Sequence, residues 1–101
     1  MMELVFLFGA DSDIQGAYEF YESCREGQGT IFMLHLDAVL THLRSFPEIG
    51  PRYSGPYRRL LVPRFPYGVF YTVERNRIVV CGVIDLRQDP KMIARRLGGA
   101  S

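Results

Sequence analysis

The sequence predicts an α+β domain of order β-α-α-β-β-β-α, with a helix hairpin packed on one face of a largely antiparallel sheet. Two observations carry this. Apolar residues recur at helical spacing in two stripes of the first half, joined by a glycine-bearing turn. Three apolar runs of strand character fill the second half, divided by turns bearing proline and asparagine. With 101 residues and 48% apolar content, the chain fits a single domain over residues 1–101.

Residues 3–8 read as a short first strand, apolar from Leu4 onward. Ala10, Ile14, Ala17, Tyr21 and Cys24 follow at alternating intervals of four and three, one stripe of a helix. Asp11 and Asp13 favour its start, where negative charge meets the positive end of the helix dipole. Gly27 and Gly29 end it. A second helix begins near Thr30 and places Phe32, Leu36, Val39, Leu43 and Phe46 inward at the same spacing, until Pro47 stops it. Residues 47–56 are turn-rich and mark the switch from helix to sheet. Strands are then expected at 57–62, 67–74 and 77–85. In the second of these Tyr67, Val69, Tyr71 and Val73 share a face, and Arg75-Asn76 makes the tight turn into the third. Asp89 caps a short last helix, with Pro90 in its first turn and Gly98 at its end. The hairpin covers one face of the sheet, which leaves the other as the place with room for function.

A chain of this length buries roughly two-thirds of its unfolded surface, so its stability is marginal and a partner matters. Cys24 and Cys81 are far apart in sequence and form no metal-binding or redox motif; they read as two buried thiols in a reducing cytosol. The apolar run Leu4–Phe8 is too short for a signal-peptide core, and no run approaches the roughly 20 residues of a membrane helix. The expectation is a soluble, cytoplasmic protein without membrane contact. Net charge is only +1, but it is unevenly spread. Residues 1–50 hold eight acidic and two basic side chains, whereas residues 51–101 hold three acidic and ten basic ones. All but Lys91 of the basic residues are arginines, whose planar forks suit carboxylates and phosphates. An acidic partner or a nucleic acid meeting the second half would explain the split.

Arg58, Arg59, Arg64 and Arg87 are the candidates for a docking surface, and the same pattern fits solvated or internally paired arginines. Arg58 and Arg59 are adjacent on a strand and must point to opposite sides, so both cannot serve one surface. Tyr67 and Tyr71 fit core packing better than base stacking. His35 and His42 lie seven residues apart on a helix, about 10 Å, too far to share a metal. Gly27-Gln28-Gly29 lacks the lysine and hydroxyl of a phosphate loop and reads as a turn. No metal or other cofactor is implied.

Several segments together resemble the RelE/ParE toxin superfamily over nearly the whole chain. They are Ala10 with Asp13-Ile14, Ala17-Tyr18 and Tyr21-Glu22; Leu43 through Phe46-Pro47-Glu48-Ile49-Gly50; Tyr57-Arg58-Arg59-Leu60-Leu61; Arg64-Phe65-Pro66-Tyr67; Val69 to Val73; Ile78 to Ile84; and Leu86 to Pro90. The resemblance implies the toxin of a bacterial type II toxin–antitoxin module of the plasmid-stabilisation kind, neutralised by a cognate antitoxin. Within one fold it implies two activities. RelE-like members cut messenger RNA on the ribosome, and ParE-like members are associated with poisoning DNA gyrase. Metal-free RNA cleavage needs a base, cations for the phosphate and a proton donor. RelE-like ribonucleases supply these from arginine or lysine on the sheet and a tyrosine or histidine near the chain end. At the matching positions this sequence has Gly68 for an arginine, Asp85 for a histidine and Ile93 for a tyrosine. Only Arg87 carries over. The incomplete set favours a ParE-like toxin that acts by binding, with Arg87 and Asp85 the catalytic candidates on the ribonuclease alternative. An inactive relative that retains antitoxin binding is a third reading.

Overall fold

A computed structural model describes residues 1–98. In chain order the elements are β1 (Glu3–Phe6), α1 (Phe8–Cys24), α2 (Gln28–Ser45), β2 (Arg52–Ser54), β3 (Tyr57–Leu61), β4 (Tyr67–Val73), β5 (Arg77–Asp85) and α3 (Pro90–Arg96). The sheet has the order β1-β5-β4-β3-β2. β1 runs parallel to β5 and every other pair is antiparallel.

β1 stops two residues earlier than the apolar run suggests. The Leu7 N–H closes the ladder on the Val80 carbonyl, and the Leu7 carbonyl then accepts from the N–H groups of Ala10 and Asp11. One residue thus ends a strand and begins a helix, leaving Phe8 almost wholly exposed. Of the α1 stripe, Ala10 and Ala17 are buried and Ile14 and Tyr21 pack at the core edge. Cys24 is exposed, contrary to the expected burial, because it is the final residue of the helix and lies beyond the sheet-facing stretch.

The turn between the helices is tighter than the two glycines suggested. The Glu22 carboxylate accepts from the N–H groups of Gly27 and Gly29, both at 3.0 Å, and so satisfies donors at the start of α2. Gly27 has the positive φ (86°) that the reversal requires. Gly29 is not the end of α1 but part of α2. A Cβ there would stand 2.7 Å from the Tyr18 carbonyl oxygen and 2.9 Å from the Tyr18 ring, so the hairpin closes only on glycine. On α2, Phe32, Leu36, Val39 and Leu43 are buried as the spacing predicts. Phe46 is not; it is the C-cap, with φ −134° and ψ 75°, and its ring rests beside His42 in the open.

The hairpin packs on Val69, Tyr71, Ile78, Val80 and Val83, with Tyr67 and Val73 at the margin, so the expected face of β4 is the inner one. The opposite face is not open throughout. Ile93 and Leu97 of the α3 region close over Phe70 and Ile84, with Tyr53, Tyr57, Cys81 and Leu86 around them. α3 starts as predicted, the Asp89 carboxylate accepting from the Lys91 N–H at 2.9 Å. Arg52–Ser54, inside the turn-rich segment, adds a fifth strand by pairing with β3 across Gly55-Pro56. No helix is long and apolar enough to cross a membrane.

Two glycines of the hairpin should therefore respond oppositely to alanine. A Cβ at Gly16 meets nothing within 4 Å, so Gly16→Ala should raise stability by about 0.5–1 kcal/mol through helix propensity. Gly29→Ala must push Tyr18 aside and should cost about 1–3 kcal/mol. Urea denaturation of the two variants checks both signs.

Candidate functional site

Charged groups gather where β5 ends. The Leu86 N–H donates to the Pro66 carbonyl, and the Gln88 N–H to the Asp85 carbonyl, so the chain turns sharply after the strand. That turn folds Arg87 back onto Asp85. Arg87 donates its backbone N–H and Nε to Asp85 Oδ1 (2.9 and 3.0 Å) and Nη2 to Oδ2 (2.8 Å). The paired guanidinium is the main reason the Asp85 carboxyl is held below its ordinary range; burial works against it. Asp85 is consequently a charged partner of Arg87 and a poor proton acceptor at neutral pH.

Tyr21 and Tyr67 lie beside this pair. Burial pushes both phenols above their ordinary range, and Arg87 offsets this only in part. Both stay protonated near neutrality. Their rings belong to an aromatic group with Phe32 and Phe65, which fixes them as packing residues.

A second ion pair stands on the other side of the strand end. Asp13 Oδ2 accepts from the Val83 N–H at 3.0 Å and from Arg96 Nη2 at 2.7 Å. One carboxylate of α1 thereby joins β5 to α3. A cleft of about 230 Å³ runs between these groups, lined among others by Ser12, Asp13, Gly16, Asp85, Gln88 and Arg96. Asp13 had a sequence reading only as a helix-start charge. Its partners lie 70 and 83 residues away, and no local signal announces them.

The four arginines singled out from the sequence do not form one cluster. Arg58 is on the hairpin side, opposite Tyr71, and donates to the carbonyls of Gly50 (2.8 Å) and Glu48 (3.2 Å). With the Gly50 N–H donating to the Tyr71 hydroxyl at 3.0 Å, it pins the loop after α2. Arg59 is on the α3 side, its guanidinium 5.2 Å from the centre of the Tyr53 ring. Arg64 sits exposed in the β3–β4 turn with φ 71°, at the same end of the sheet as Arg87. Gly68 has a steric cause: a Cβ there would come within 3.1 Å of both the Arg59 stem and Leu86. Ile93 is buried against the sheet. Among the described residues, no group of three or more His, Cys, Asp or Glu side chains could hold a metal ion.

A mixed sheet with a two-helix hairpin on one face and a short C-terminal helix on the other has the architecture that the resemblance to the RelE/ParE superfamily implies. The chain belongs to its ParE branch: the family model described as "ParE toxin of type II toxin-antitoxin system, parDE" matches residues 5–90. Among solved structures it is similar to a chain of the chromosomal ParDE TA system from P. aeruginosa, with a TM-score of 0.75 and 18% identity over 85% of this chain and 97% of that one. No curated protein matches it in sequence.

The Asp85–Arg87 pair has a pH signature. Because the folded pKa of Asp85 is depressed, its contribution to stability is present above the ordinary carboxylate range and is lost as pH falls through the folded value. Arg87→Gln should return the Asp85 carboxyl toward its ordinary pKa in an NMR titration. The stability gap between variant and parent should be present at pH 7 and close in strong acid.

Proposed function

We propose that this ParE-family chain poisons its target by binding, with DNA gyrase as that target, and that a cognate antitoxin holds it silent in the cytoplasm. The observation that carries the reading is the state of the positions where RelE-like ribonucleases place reactive groups. A side chain at Gly68 would crowd the Arg59 stem and Leu86, Ile93 is committed to the core, and Asp85 and Arg87 neutralise each other. A base, a proton donor and a free cation are each needed for phosphodiester cleavage without a metal. In their place stands a surface of outward guanidiniums, Arg64 and Arg87 foremost, suited to steering an acidic partner.

Induced expression of this chain alone in a bacterial host tests the reading, with growth, message integrity and plasmid supercoiling followed together. Growth arrest with intact message and disturbed supercoiling is the expected outcome, relieved by co-expression of the neighbouring antitoxin gene. Rapid loss of ribosome-bound message would instead establish the ribonuclease, with Asp85 and Arg87 as its first suspects. Unimpaired growth with abundant soluble protein would identify a silent relative.

A further inference from the structure

The two helices of the hairpin each turn one side to solvent, and those sides are built differently. α1 presents Asp11, Gln15 and Glu19, with Gln15 and Glu19 bonded to each other at 2.8 Å. That is the make-up of a solvated helix face. α2 instead presents Ile31, Leu34, Ala38, Thr41 and Ser45, at alternating intervals of three and four. Leu34 is 64% exposed and Ile31 40%. In its 18 residues α2 has no lysine and no glutamate, and its only full charges are Asp37 and Arg44. A helix with an apolar inner stripe and an uncharged outer one is suited to burial on both sides.

The outer stripe also has relief. Ala38, Thr41, His42 and Ser45, with Asp37 and Phe46 beside them, border an open cleft of about 460 Å³. Small side chains along such a stripe let the axis of another helix come close. The two charges share one flank, because seven residues are nearly two full turns. Among the described residues neither Asp37 nor Arg44 has an ion-pair partner. Arg44 is held only by its Nε, which donates to the Met2 carbonyl at 3.0 Å.

We propose that the outer stripe of α2 is the docking face for a second copy of this chain, packed antiparallel across a two-fold axis. In such a pair every contact occurs twice. With the axis at the level of Val39 and Leu40, Ala38 stands level with Thr41 of the second copy, and Leu34 with Ser45. Large then meets small at both ends. The two-fold also keeps like flanks together, as in antiparallel coiled coils, so Asp37 of each copy comes to Arg44 of the other. The stripe thus supplies both halves of its own match, in shape and in charge. The inference does not depend on what the chain poisons.

Sedimentation equilibrium on the whole chain, free of antitoxin, tests this. A single helix pair lies at the small end of specific interfaces, so dimerisation is expected at about 10–100 μM. Leu34→Glu and Asp37→Arg change exposed positions, and each should weaken the dimer at least tenfold. Adding Arg44→Asp to Asp37→Arg should restore it to within about threefold. Because Arg44 also holds the Met2 carbonyl, Leu34→Glu decides alone if that double variant does not fold. A chain that stays monomeric up to about 1 mM, or a dimer indifferent to Leu34→Glu, would overturn the inference. A monomer in which Leu34→Glu abolishes antitoxin or gyrase binding would overturn it as well, and would assign the stripe to that partner.

Discussion

The constraint on which the rest of the molecule depends is that β4 and β5 are apolar on both faces. Val69, Tyr71, Val80 and Val83 must be covered on one side and Phe70 and Ile84 on the other. Burying such side chains is the main favourable term available to a chain of this size. The helix hairpin meets the first need, and its fit relies on a glycine where α2 passes Tyr18. The second need is met by one short helix. Ile93 and Leu97 do this work, helped by the Tyr57 hydroxyl donating to the Leu97 carbonyl.

Two acidic residues of the first half, Glu22 and Asp13, are acceptors for backbone N–H groups, and Asp13 also for an arginine of the second half. Glu22 caps α2, and Asp13 takes up a stray N–H of β5 and a guanidinium of α3. Each satisfies donors that would otherwise be left without a partner near the protein's interior, where an unmade hydrogen bond is costly. The same acids leave much of the basic surplus unspent. Arg87 and Arg96 are bound to carboxylates but remain the more exposed member of each pair.

The order and type of nearly every element was legible in the sequence, because hydrophobic period alone separates the two helices from the strands that follow. Phe32, Leu36, Val39 and Leu43 are buried as their spacing demands. What failed failed at ends. Leu7-Phe8 is apolar yet lies past the last rung of the ladder, and Phe46 keeps the spacing of the stripe but lies past the last turn of the helix. Periodicity describes the side a residue would face, not whether the element reaches it. Arg52–Ser54 escaped notice because a three-residue edge strand carries no period. The site was legible only in part. Asp85 and Arg87 stood out as residues, but their bidentate pairing comes from the turn made after β5. Asp13 meets Arg96 only because α1 and α3 flank the same strand end, which is a property of the topology and not of any local motif.

The fold tolerates different activities because its scaffold and its reactive groups are separable. The core of β4 and β5 would be unchanged by an arginine in place of Gly68, were the Arg59 stem and Leu86 not in the way. Here β3 supplies the guanidinium of that face, and it lies over Tyr53 instead of reaching free into solvent. A cation held against a ring and a carboxylate held against a guanidinium have both lost freedom to follow a reacting phosphate. They have kept shape and field, which are the attributes recognition needs. That is the part the proposed binding reading gives them.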